Sequence, residues 1–155
     1  MASIPTRAIN LARQLIAITA VLPESTATIR DGELNCMLHL RPSPASQVYT
    51  VYLAYRHWRP PHVTVNDPQL ILHPGATALP HVYADDELCL YNPGQWNDDM
   101  LLAATIVPWT AEWLMHYELW LVTGTWFGGG EPCTVDRQRH YRPASKIPRW
   151  RAASI

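Results

Sequence analysis

The residues best suited to chemistry lie in one stretch, LPHVYADDELCLYNPGQW, over positions 79–96. Cys89 stands there between Leu88 and Leu90, and His81 precedes it by eight positions. A cysteine thiolate is a nucleophile, and an imidazole can either donate a hydrogen bond to an oxyanion or accept a proton. The stretch therefore offers a candidate nucleophile and, close before it, a candidate donor or base.

Each of these residues also has a purely structural interpretation. Free cysteines commonly serve as small buried hydrophobes, and a lone histidine commonly holds a loop through a backbone carbonyl. Tyr83 and Tyr91 bracket Cys89 and are placed either to shape a substrate channel or simply to pack. These alternatives stay open on the residues alone.

The other two cysteines give no sign of a cofactor. The set of three has no CxxC spacing, so neither a disulfide framework nor a zinc ribbon is expected. Cys36 lies in a predicted strand and is expected in the core. Cys133 and His140 are too few ligands for a metal site, so we assign Cys133 no role and expect no metal and no cofactor.

The composition describes a folded protein of ordinary domain size. The chain has 155 residues, of which 48% are hydrophobic and 16% charged, which excludes disorder of the charged, weakly hydrophobic kind. No apolar run reaches the roughly 20 residues of a membrane span. The N-terminal apolar run contains Arg13 and lacks a clean cleavage site, so we expect no signal peptide and a cytoplasmic protein.

The charges divide the chain into two parts. Residues 1–136 carry all 13 acidic residues and six arginines, whereas residues 137–155 carry five arginines, Lys146 and no acid. We therefore predict one domain over 1–136 and a basic tail over 137–155. A basic tail can bind nucleic acid, but Tyr141 and Trp150 alone provide little stacking surface, so an arm that docks on its own acidic domain is favoured.

The hydrophobic pattern places these residues on an α+β framework. It predicts an opening helix over 4–21 with Thr6 as a possible cap, then an antiparallel meander from 26 to 65, where short runs rich in Val, Tyr, Thr and Leu are separated by turn residues. Residues 67–98 are rich in proline and show no sustained period, which is typical of a functional loop. Helices are expected to follow, one opened by Asp98 and Asp99 and one starting at Pro108, with Gly124 as its end. The second of these carries an aromatic stripe at helical spacing, which indicates a face turned toward the core: Trp109, Trp113 and Trp120, with Leu114, Tyr117 and Leu121.

This order of motifs resembles the ubiquitin-conjugating enzyme family. The family pattern is a His-Pro-Asn tripeptide, a turn, an aliphatic-Cys-Leu tripeptide and then a tryptophan. Residues 79–81, 85–87 and 88–90 match its first three parts, and Trp96 matches the tryptophan. The departures are a longer loop after Pro61 and His81 in place of the asparagine. The runs TIVPWTAEWL, YELWL and TGTW make the chain most similar to the bacterial branch associated with CBASS antiphage defence.

The resemblance implies a function and a fold. It implies a UBC-like fold with an N-terminal helix, a meander sheet, an active-site loop and C-terminal helices. It implies that Cys89 carries the C-terminus of a partner as a thioester, with His81 assisting and Tyr83, Tyr91 and Trp96 lining the substrate groove. The implied partner is a CD-NTase-type cyclic-nucleotide synthase or a ubiquitin-like modifier, with an activating enzyme as a further possible partner.

Two other classes of function compete with this one. A non-catalytic binding module on the same fold is favoured by the missing asparagine and disfavoured by the retained cysteine. A nucleic-acid-binding adaptor would act through the basic tail. The acidic residues around Cys89 oppose thiolate formation, which favours transfer of an already activated acyl group over redox chemistry. They are Asp85, Asp86, Glu87, Asp98 and Asp99.

Overall fold

A computed structural model describes residues 7–129 and residue 133. Two α-helices and four strands make up its regular structure, together with two short 3₁₀ turns. In chain order they are α1 (Leu11–Val21), β1 (Thr26–Arg30), β2 (Glu33–Leu40), β3 (Tyr49–Tyr55), β4 (His62–Asp67), the turns Ala84–Asp86 and Leu102–Ala104, and α2 (Ile106–Thr123). This is an α+β arrangement, as predicted. The predicted tail at 137–155 lies outside the described residues, so the domain boundary at 136 stays a prediction.

The sheet confirms the predicted antiparallel meander. Its four strands pair in sequence order, β1 to β4, and every pairing is antiparallel. Alternate side chains of β2 are buried, and Leu34, Cys36 and Leu38 lie opposite Tyr55, Leu53 and Val51 of β3. Because directly opposed residues of an antiparallel pair share one face, these six side chains form a single apolar surface. Cys36 is a core residue, as expected.

The opening helix is shorter than the predicted span over 4–21. It begins at Leu11, because the Asn10 side chain accepts a hydrogen bond from the backbone N–H of Arg13 at 2.8 Å and so caps the first turn. Thr6, the expected cap, lies outside the described residues. Ile18 and Gln14 of this helix are fully buried.

The prediction of a helix opened by Asp98 and Asp99 is wrong. The Asp98 carboxylate accepts hydrogen bonds from the Tyr55 hydroxyl at 2.5 Å and from the backbone N–H of Trp58 at 3.0 Å. The side chain therefore ties the segment after the long loop to β3 and the turn that follows it. Between Asp99 and α2 the regular structure consists of the 3₁₀ turn at Leu102–Ala104 alone.

The second predicted helix is confirmed, and it covers the core. It begins two residues before Pro108 and ends at Gly124, whose φ of +75° suits a glycine C-cap. Its buried face carries Trp113, Tyr117 and Trp120, as the aromatic spacing predicted. It is the one helix that follows the loop among residues 7–129, where the resemblance implied more than one. No helix in the described part of the chain is long and apolar enough to span a membrane.

Candidate functional site

The predicted active-site loop closes on itself so that Cys89 faces His81. The backbone N–H of Cys89 donates to the His81 carbonyl at 3.0 Å, and a further bridge joins Val82 to Leu88. The N–H of Leu88 donates to the carbonyl of Val63 at 2.9 Å, which fastens this closed loop to β4. The chain therefore folds back over eight residues and brings His81 beside Cys89.

The backbone of His81 is held from the opposite side by α2. The indole N–H of Trp113 donates to the same His81 carbonyl at 3.0 Å, so this oxygen accepts two hydrogen bonds. His81 also has a φ of +49°, an uncommon conformation for a residue with a side chain. Two donors on one carbonyl help to hold that conformation. The backbone of His81 therefore has a structural role in the loop. Its ring takes no part in these two hydrogen bonds and packs on Trp126 instead.

A tyrosine hydroxyl reaches the sulfur of Cys89. The Tyr83 oxygen lies 3.4 Å from Cys89 Sγ, and the hydroxyl is the donor there because the sulfur carries no proton in this structure. Tyr83 precedes the 3₁₀ turn, and its N–H donates to the carbonyl of Glu87 at 2.7 Å. The turn thereby directs the ring of Tyr83 toward the cysteine.

Cys89 is joined to Cys133 by a disulfide, which corrects the expectation that these cysteines form no bond. The two Cα atoms are 6.3 Å apart across 44 positions of sequence. Such a separation leaves no local signal, since the pairing depends on how the chain returns after α2. Cys133, to which we assigned no role, is therefore part of the site. Cys89 itself is partly exposed.

A cavity of about 640 Å³ opens beside Cys89. Most of its wall comes from α2 and the segment after it, which sequence reasoning did not place at the site. The residues missed are Trp109, Glu112, Trp113, His116 and Trp126. Trp109 and Trp113 were visible as part of a stripe at helical spacing, but that stripe was interpreted as core. Trp113 serves both purposes, since it is buried and also lines the cavity.

The ring of His81 lies in this cavity, stacked on Trp126. The two ring centroids are 4.9 Å apart, and the planes differ by 21°. Trp126 also packs against His116, with centroids 5.6 Å apart. Burial lowers the pKa of His81, and the neighbouring His116 lowers it further. A neutral imidazole has one N–H donor and one free acceptor nitrogen, which is what either proposed role would require.

The comparison with protein families decides what kind of protein carries this loop. The family model of the type II CBASS E2 protein matches residues 14–133. The chain belongs to this family. A search of curated proteins found no match. The matched range begins inside α1, includes the sheet, the closed loop and α2, and ends at Cys133.

Membership gives this CBASS E2 protein an E2-like role in antiphage defence, in association with other CBASS components. The three residues predicted for its substrate groove line one cavity, which is not the cavity that Cys89 lines, although the Tyr83 hydroxyl reaches the sulfur. Tyr83, Tyr91 and Trp96 line a second cavity of about 490 Å³, and of these only Tyr91 also lines the first cavity, where Cys89 lies. Trp96 is nearly buried, and its N–H donates to the Thr105 hydroxyl at 3.2 Å.

The acidic residues of this E2 protein are partly engaged away from Cys89. Glu87 lies 3.3 Å from the ring of His62 on β4, and Asp98 accepts the hydrogen bonds described above. Asp85 and Asp86 are exposed in the 3₁₀ turn, both with positive φ. The described residues contain no cluster of His, Cys, Asp or Glu suited to a metal ion. Glu112 of α2 adds a further carboxylate to the wall of the cavity that Cys89 lines, and Asp99 is exposed.

Proposed function

We propose that the reduced chain carries the C-terminus of a partner protein as a thioester on Cys89 and transfers it to an amine. The observation that carries the proposal is the closed loop: it presents a partly exposed cysteine directly opposite His81, in a chain of the CBASS E2 family. The partner we propose is a CD-NTase-type cyclic-nucleotide synthase, with a ubiquitin-like modifier as the second choice.

The chemistry requires two acyl transfers. The Cys89 thiolate first attacks an activated carboxyl terminus, and the new C–S bond forms as the activating group leaves. An amine then attacks the thioester carbon; a C–N bond forms, the C–S bond breaks, and the amine gives up a proton as the thiolate leaves. Each step passes through an oxyanion, which one preorganised donor can stabilise.

The side chains near Cys89 can supply these functions. The neutral His81 ring can donate to the oxyanion or accept the amine proton, and the Tyr83 hydroxyl, 3.4 Å from the sulfur, can stabilise the departing thiolate. Cavities on both sides of the Tyr91 ring offer room for an extended tail and for an incoming amine.

Co-expression of the chain with the cyclic-nucleotide synthase and an activating enzyme, followed by reduction of the disulfide with a phosphine, which leaves thioesters intact, tests the proposal. On thiol-free gels and in intact-mass spectra, a covalent adduct at Cys89 is expected that thiols remove. Cys89→Ser should give a thiol-resistant oxyester, because an alkoxide is a poorer leaving group. Cys133→Ser is the matched control and should still form the thiol-sensitive adduct.

The main alternative is a non-catalytic binding module, and the disulfide on Cys89 is the observation that favours it. Binding of the synthase without any adduct in either the wild-type or the Cys89→Ser protein would support the module and overturn the enzyme. The proposed adaptor function of the basic tail depends on residues outside the described ranges. A steep loss of nucleic-acid affinity with salt would identify it.

A further inference from the structure

The disulfide between Cys89 and Cys133 joins the proposed nucleophile to the last residue of the family match. A sulfur bonded to another sulfur has no thiolate to offer, so this form of the chain cannot accept an acyl group. The third cysteine takes no part, because Cys36 is buried in the sheet, where burial raises its pKa to about 12. The bond therefore bears on the one cysteine whose reactivity the site would use.

The chain after α2 is built to return to this site. Gly124 ends the helix in a left-handed conformation, and Trp126 then packs on the rings of both His81 and His116. At Gly128 a side chain would not fit, since a Cβ atom there would lie 2.8 Å from both the His116 ring and the Trp126 indole nitrogen. These contacts bring the segment to the cavity wall from which Cys133 reaches Cys89.

We propose that Cys133 is a resolving cysteine, which captures Cys89 after oxidation and stores the nucleophile as a reversible disulfide. This inference rests on the proposed function, because it assumes that Cys89 is the reactive thiol. It adds a modification site and a condition for activity: the thioester forms only after a thiol reductant has opened the bond.

The oxidant we name is a peroxide. The Cys89 thiolate attacks the peroxide O–O bond, becomes a sulfenic acid and releases hydroxide. The Cys133 thiol then attacks the sulfenic sulfur, the S–S bond forms, and water leaves. The two sulfur atoms together give up two electrons, which reduce the peroxide. A dithiol reverses the reaction by two exchange steps and ends as a disulfide itself.

This pairing protects Cys89 as well as blocking it. An unresolved sulfenic acid is oxidised further to a sulfinic acid, which dithiols do not reverse. A resolving thiol within bonding distance removes the sulfenic acid first. The acidic surroundings of Cys89, which argue against a dedicated peroxide-reducing cysteine, are compatible with a slow protective reaction of this kind.

The test treats the fully reduced full-length protein with hydrogen peroxide and then with dithiothreitol. The wild type should lose about 2 Da, form the 89–133 disulfide and recover all its free thiols on reduction. Cys133→Ser should gain about 32 Da at Cys89, as the sulfinic acid, and keep that mass after reduction. Cys36→Ala is the matched control, and it should behave as the wild type does.

The outcomes separate this inference from the proposed function, because the masses are read without any partner. If wild-type Cys89 reaches the sulfinic acid as fast as it does in Cys133→Ser, the resolving role is overturned. In Cys89→Ser, Cys133 should react readily with iodoacetamide, and failure to label would also overturn it. Clean, reversible disulfide formation combined with no adduct in the co-expression experiment would support the cysteine pair and overturn only the enzyme.

Discussion

Replacing Tyr83 with phenylalanine should reduce the reactivity of the Cys89 thiol in the reduced protein. The hydroxyl oxygen lies 3.4 Å from Sγ, and a thiolate at that sulfur can only accept its hydrogen bond. Hydrogen bonds to charged groups contribute roughly 1.5–3 kcal/mol. The contact is long, which favours the lower end, and ~1.5 kcal/mol corresponds to about a tenfold smaller fraction of thiolate.

The rate of iodoacetamide alkylation at Cys89 reports this thiolate fraction directly. In a Cys133→Ser background, so that no disulfide competes, Tyr83→Phe should slow alkylation at pH 7 about tenfold, because only the thiolate reacts. Tyr91→Phe is the matched control: it keeps the ring that packs on Trp96 and Trp109, and it should leave the rate nearly unchanged.

Two results would refute this reasoning. If Tyr83→Phe is alkylated within about twofold of the rate of its parent, the hydroxyl does not stabilise the thiolate, and its contact with the sulfur is packing alone. If Tyr91→Phe slows alkylation equally, the effect comes from general disturbance of the loop and not from the hydrogen bond.

Four further predictions follow from buried or crowded groups. Gln14→Leu should lower the free energy of unfolding by about 3 kcal/mol in urea titrations, because the buried amide bonds two backbone groups at positions 100 and 102 that would then be unsatisfied. Burial, and to a lesser extent His116, lowers the pKa of His81, so the folded protein binds fewer protons than the unfolded chain. The free energy of unfolding should therefore keep its full value above about pH 6.5 and decrease as the pH falls below it. His81→Phe should reduce that decrease. His81→Ala should also slow acyl transfer by ~10²-fold in single-turnover assays while leaving thioester formation nearly normal. Gly128→Ala should change the near-UV circular dichroism of Trp126 and cost about 1–3 kcal/mol of stability, because the added methyl group meets two rings.

The sheet could be predicted well because alternation of apolar residues reports directly on a half-buried strand. Tyr49–Tyr55 and Glu33–Leu40 follow from that pattern, and the aromatic stripe with Gly124 gave α2. The false helix at Asp98 shows the limit of local rules: acidic residues suit a helix N-terminus, but the Tyr55 hydroxyl and the Trp58 N–H engage this carboxylate instead.

The residues of the candidate site likewise include some that a local sequence pattern reveals and some that it does not. Cys89 and His81 were found because their signal is contained in one short segment. The Trp126 stack and the disulfide to Cys133 were missed, since they depend on where the chain travels after α2, which no local spacing records. Trp113 was assigned to the core alone, because periodicity reveals which face of a helix is apolar but not which polar atom lies at its edge.

The Trp113 side chain belongs both to the hydrophobic core and to the loop that carries Cys89, so a change made in one of them also changes the other. One side chain fills the interior of the helix packing and also fixes the carbonyl that faces the cysteine. A phenylalanine there would preserve an aromatic interior yet release that carbonyl, whereas any residue that kept the N–H would have to keep the indole's size and position. Substitutions at Trp113 that are chosen only to improve thermal tolerance will therefore alter the loop that presents Cys89, and libraries that aim to change stability without changing this loop should hold this position constant.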